Sequence, residues 1–152
     1  MEHGLVAGIH PAGSGERLPG AGGDRLLARL ATAGPCPLTL VEDTSADREW
    51  APLHSHPWDE LTYVLEGEME FTVGTDTRGG GPGTLVSLPR GVPHTLRVPD
   101  GTARFLMLTV GRPSLEFLRE VGEVYATGPT LERLVEVAGR HGVRPAFDLP
   151  GA

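Results

Sequence analysis

The segment HSHPWDE, residues 54–60, sets two imidazoles two positions apart and a carboxylate four positions after the second. In an extended chain, residues i and i+2 leave the same face, about 6.6–6.8 Å apart along the strand. His54 and His56 can therefore lean toward one ion while Ser55 faces the other way, which argues against a serine nucleophile with a histidine base. Pro57 interrupts the strand, PWD carries the chain over, and Glu60 enters the next strand able to point back. A fourth donor follows in GTLVSLPRGVPH, where Pro89 and Gly91 bracket a turn and His94 opens another strand. Three neutral imidazoles and one carboxylate suit a divalent first-row transition metal. A six-coordinate ion on four protein donors keeps positions for water, substrate or dioxygen, which separates a working site from a closed structural one.

The elements needed to position these groups are legible as short strands. PLTLVED (37–43) alternates and carries β-formers; DRLLARLAT (24–32) fits a strand or a short helix equally; EWAPLHSH (49–56) is extended. ELTYVLEG (60–67) and EMEFTVG (68–74) form a hairpin about Glu66, Gly67 and Glu68, and GGGPG (79–83) reads as a turn. TLVSLP (84–89), HTLRV (94–98) and ARFLMLTV (103–110) complete the strands. Helical spacing then takes over, in PSLEFLREVGEVY (113–125) and in TLERLVEVAGRHG (130–142), which ends on Gly142. The plan is an all-β sandwich or barrel followed by a helical tail.

The two histidine segments together resemble the cupin superfamily. Its pattern is HxH, three residues, E, six residues, G, then G, five residues, PxG, two residues, H; His54, His56, Glu60 and Gly67, then Gly83, Pro89, Gly91 and His94, match at every spacing. The fifteen residues between Gly67 and Gly83 are similar to the short intermotif segment of small single-domain cupins. From Asp24 to about Tyr125 the layout resembles quercetin-dioxygenase-like monocupins, in which VLEGEMEF and LPRGVPH have close counterparts. Val98 stands where many members carry Asn, a departure from the seed-storage and germin branch that leaves the ligands untouched. The resemblance implies a double-stranded β-helix, a jelly-roll barrel, with the two C-terminal helices packed outside. It divides one domain (1–152) into a loose start (1–23), a barrel (24–112) and a helical tail (113–152). It also implies one divalent ion on His54, His56, Glu60 and His94, iron before manganese, nickel, cobalt or zinc, and a homodimer formed through N-terminal strands.

Alternation from the ligands predicts a pocket lined by Thr62 and Val64 after Glu60, Leu96 after His94, and Arg104, Leu106 and Leu108 across the barrel. Trp58 is expected either at the pocket mouth or as a surface anchor, Tyr63 and Phe105 in the core, and Cys36 as a small buried hydrophobe. Arg90 and Arg97 flank His94 and read as surface ion-pair partners, with an anionic substrate as the alternative; His3, His10 and His141 read as bystanders. The expected activity is that of an oxygenase or dioxygenase on a phenolic, enolic or diketone-like molecule, with Glu60 as ligand and proton acceptor. A non-redox isomerase, cyclase or decarboxylase uses the same donors, and a non-catalytic metal or small-molecule binder is the third reading.

Composition removes other classes. The chain has no Lys, Asn or Gln, and all 13 basic residues are Arg. Schiff-base chemistry on a lysine and a P-loop are therefore excluded. A formal charge of −7 argues against a nucleic-acid partner. No apolar run approaches the roughly 20 residues of a membrane helix, and MEHGLVAGIHPAGSGER has neither the basic nor the apolar part of a leader. One cysteine, Cys36, forms no internal disulfide. A cytoplasmic protein with a small-molecule partner, and without membrane or nucleic acid, is the expectation.

Overall fold

The computed structural model describes residues 4–20, 25–46, 48 and 52–146. His3 and the start of EWAPLHSH lie outside the described residues. In chain order the elements are β1 (Glu16–Pro19), β2 (Arg25–Ala31), β3 (Leu38–Ser45), β4 (His54–Ser55), β5 (Asp59–Glu66) and β6 (Met69–Val73). They continue with β7 (Asp76–Gly80), β8 (Leu85–Leu88), β9 (His94–Arg97), β10 (Ala103–Val110), α1 (Leu115–Thr127), α2 (Leu131–Arg140) and β11 (Arg144–Pro145). Two antiparallel sheets result, a six-stranded one ordered β1-β2-β3-β10-β5-β8 and a five-stranded one ordered β11-β4-β9-β6-β7. Val64 and Phe105 of the first pack against Met69 and Phe71 of the second, with Val98 and Ala103 completing the core.

Register decides which residues face that interior, because directly paired residues of an antiparallel ladder project to the same side. Glu60, Thr62 and Val64 of β5 lie opposite Thr109, Met107 and Phe105 of β10. Phe105 and Met107 lie in turn opposite Asp43 and Val41 of β3. Leu106 and Leu108 pair with Tyr63 and Leu61 and so face outward, as does Arg104, which bridges Glu42 and Glu66. The expected pocket positions Arg104, Leu106 and Leu108 are thus corrected to Phe105, Met107 and Thr109. Choosing parity by apolarity failed on a strand that is apolar on both faces. Tyr63 is likewise 43% exposed and outside the core, whereas Phe105 is buried within it.

Three local departures follow, the first two with tertiary causes. Residues 16–19, inside the stretch expected to be loose, form β1 because α1 packs on them: Arg119 bridges Glu16, and Gly122 approaches so closely that a Cβ there would sit 2.9 Å from the Pro19 carbonyl oxygen. Gly79 and Gly80 pair with Glu70 and Met69 as the end of β7 instead of turning. Their lack of side chains serves a close approach, since a Cβ on Gly80 would meet Thr84 at 2.6 Å. Cys36 is only half-buried, in the bend between β2 and β3.

The helices follow their sequence signals. Thr130 caps α2 by accepting from the Arg133 N–H at 3.2 Å, and the helix stops at His141, with Gly142 beyond it at φ +72°. No helix among the described residues is long and apolar enough to cross a membrane.

Candidate metal centre

β4 and β9 meet at one pair of residues, His54 opposite His94, which brings the two histidine segments side by side. His56 lies just past β4, and β5 returns Glu60 toward it. The loops are tied together as well. The Gly91 N–H donates to the His56 carbonyl at 2.9 Å, with Gly91 at φ +79°, a conformation glycine adopts without strain. Arg90 donates to Asp59 through its backbone N–H and both arms of its guanidinium, and these bonds hold the Asp59 carboxyl down at about 2. Arg90 is thereby a structural partner, as is Arg97, which pairs with Glu70.

The rings of His54 and His56 both lie with centroids 4.6 Å from that of His94, and one nitrogen from each falls within 4.8 Å of the others. Two bonds of about 2.1 Å to a shared cation span at most about 4.2 Å, so the cluster is near coordination size. His56 and His94 are buried, and His54 is half-buried.

Their hydrogen bonds identify the free nitrogens. Nδ1 of His54 faces the Pro52 carbonyl at 2.7 Å, Nδ1 of His56 the Trp58 carbonyl at 2.9 Å, and Nδ1 of His94 the Val92 carbonyl at 2.9 Å. A carbonyl only accepts, so each Nδ1 carries the proton and each neutral ring keeps its lone pair on Nε2. Burial lowers the pKa of His54, and burial together with the charge of His54 lowers that of His94 to about 4, so both rings are neutral at pH 7. Burial alone would push Glu60 up, but the approach of His56 and the field of the three imidazoles bring it below the usual carboxylate range. Its Oε2 lies 3.2 Å from His56 Nε2, and Oε1 accepts from the Thr62 hydroxyl at 3.2 Å. His56 Nε2 makes no hydrogen bond, though it is buried. Three imidazole lone pairs gathered in one cluster form a donor set a divalent cation fits. Glu60 reaches this set through His56 and is outside the three-histidine group itself.

A cavity of about 210 Å³ opens from the cluster between the sheets and α1. Of the sequence-predicted positions, Trp58 and Leu96 line it; Thr62 supports Glu60 from behind, and Val64 belongs to the core. Trp58 is a wall of the cavity and not a surface anchor. It is buried, stacks on the His56 ring at 4.7 Å and 14°, and orients that ring from both its indole and its carbonyl. Sequence reading missed Asp43, Phe117, Val121 and Tyr125, which also line the cavity. A buried carboxylate in the alternating run of β3 was a visible signal for Asp43; the α1 residues read as an ordinary helix face.

Comparison with known proteins agrees with the motifs. Residues 44–111 match the family model of the cupin domain. A stretch of 66 residues is 41% identical to dimethylsulfoniopropionate lyase DddQ of Ruegeria pomeroyi, covering 43% of this chain and 32% of the lyase, so the likeness spans about a third of that protein. Among solved structures, an RmlC-like cupin from Shewanella frigidimarina superposes with a TM-score of 0.62 at 16% identity, over 73% of this chain and 96% of its own. The polyketide cyclase RemF from Streptomyces resistomycificus does so at 0.60 and 22%, over 95% of this chain and 88% of its own. These two likenesses establish the fold. The motif spacing, the paired sheets and the three-histidine cluster all agree with the cupin-domain match over residues 44–111.

Proposed function

We propose that the protein is a metal-dependent enzyme that transfers protons on a small organic molecule without net oxidation, in an elimination, isomerisation, cyclisation or decarboxylation. The observation that carries this reading is the common tautomer of His54, His56 and His94, which leaves three Nε2 lone pairs free in one cluster, with Glu60 3.2 Å from that of His56. A divalent transition cation bound by these groups supplies a Lewis acid that stabilises negative charge developing on a substrate oxygen. Thr62 fixes one oxygen of Glu60 and leaves the other on the cluster side, where it takes a proton from the substrate and returns it. Phe105, Met107, Phe117 and Val121 exclude water around that carboxylate, strengthening each electrostatic contact inside. The relative sharing 41% identity over 66 residues is a lyase, which favours proton transfer over oxygen chemistry.

An oxygenase is the second reading, favoured by three clustered imidazoles with a carboxylate beside them and by the resemblance to quercetin-dioxygenase-like cupins. Oxygen dependence separates the two. Elemental analysis of the purified protein is followed by turnover assays with dimethylsulfoniopropionate, hydroxycarbonyl compounds, diketones, catechols and flavonols, in air and anaerobically. Anaerobic turnover, supported by zinc and lost in Glu60→Gln, is expected; turnover that strictly consumes dioxygen would replace this reading with the oxygenase.

A further inference from the structure

A second cavity of about 200 Å³ lies beside the first, between α1, α2 and the rim formed by Pro52 and Pro145. Its α2 wall consists of Leu131, Leu134, Val135 and Ala138. Leu134, Val135 and Ala138 are only half-buried, and Val137 is the one buried residue of that helix. The apolar stripe of α2 thus faces a hollow where a packed partner is the rule, and protein interiors rarely leave such voids. The two cavities share His54, Phe117, Val121 and Tyr125 as walls. A molecule anchored at the histidine cluster needs only to pass His54 to enter the second space.

We propose that this second cavity is a subsite for the apolar limb of the substrate, whose polar, metal-chelating head sits at His54, His56 and His94. The inference rests on the metal-centre reading and names the substrate class it leaves open. The substrate is an amphiphile: an oxygen-bearing head of enolate, phenolate or hydroxycarbonyl type, joined to an uncharged limb of one or two rings or a comparable chain. Volume sets the size, since a dry apolar cavity of about 150 Å³ accommodates benzene. Charge is excluded because no ionised side chain lines the walls, and an unpaired charge there would lose its hydration without compensation.

The test uses hydroxamates of increasing limb size, acetohydroxamate, benzohydroxamate and 2-naphthohydroxamate, titrated calorimetrically into zinc-loaded protein. In parallel, 1-naphthol binding to metal-free protein is followed by fluorescence. Affinity is expected to rise at least about tenfold from the methyl to the naphthyl compound, through the apolar surface removed from water. Ala138→Phe, with Val135→Phe as an independent second filling variant, should keep the acetohydroxamate affinity while losing both that rise and naphthol binding. Equal affinities along the series, or a rise unchanged in both variants, overturns the subsite. Naphthol that binds the wild type and not the variants, while no hydroxamate binds, upholds an apolar site and overturns the metal-centre reading alone.

Discussion

β5 and its neighbours show two chemistries on two faces of one sheet. Toward the interior they carry Glu60, Thr62, Asp43 and Thr109, all buried. Toward the outside they carry Leu61, Tyr63 and Leu85, exposed at 40%, 43% and 57%, with Leu40, Leu106 and Leu108 between them. This reverses the ordinary arrangement of a half-buried sheet. The interior is polar at one end because a site occupies it, and its polar groups partner one another, as Thr62 does Glu60 and Thr109 does Ser114 at hydrogen-bond distance. Among the described residues the outer face has no comparable use for its leucines, and contiguous exposed apolar surface marks an interaction site. We propose that a second copy covers it, a homodimer contact different from the N-terminal strands expected from the sequence.

The strongest challenge to this comparison is to strip the interior of a donor. Replacing His94 with Ala should lower metal affinity by more than the roughly 10–100-fold that loss of an outer partner costs, as read by competition with a chromophoric chelator. Next comes the outer face. Tyr63→Glu with Leu85→Glu should convert a dimer into a species near 16.1 kDa by light scattering, with bound metal unchanged. A wild-type mass already at that value removes the proposed partner.

Acid probes the interior again. His94 titrates near 4 in the folded protein, below its ordinary value, and His54 and Glu60 are lowered too. The unfolded chain therefore takes up these protons first. Metal-free protein should hold its stability above about pH 6.5 and lose it progressively as pH falls toward 4, visible as a falling urea midpoint. A midpoint flat over that window contradicts the burial of neutral imidazoles. A smaller effect is expected from Thr62→Val, which keeps shape but removes one hydrogen bond to Glu60, worth about 1 kcal/mol; it should shift the acid limb of any pH–rate profile and leave the mass unchanged. The smallest belongs to Arg90→Ala, since an exposed ion pair contributes about 0–1 kcal/mol.

The same comparison explains what could be read from the sequence. His54, His56, Glu60 and His94 were legible because their spacing reflects the strand–turn geometry that delivers them. The strand runs were legible from alternation, and α1 and α2 from apolar spacing and caps. Which face of β10 is interior was not, since Leu106, Leu108, Phe105 and Met107 all satisfy an apolar criterion and only pairing with β5 distinguishes them. The contribution of α1 to the cavity escaped for a related reason: Phe117, Val121 and Tyr125 sit at ordinary helical spacing, and their meeting with His54 and His56 is purely tertiary. β11 was invisible because it pairs with β4, remote in the chain, and β1 because α1, equally remote, packs on it.

The carbonyls that orient the three imidazoles have a consequence for how this scaffold can change. All belong to the main chain, and all lie within two positions of the ring they hold. No side-chain replacement deletes a peptide oxygen. The cavity walls can therefore be exchanged freely, by drift or by design, while the proton pattern of the site passes unaltered from one specificity to the next.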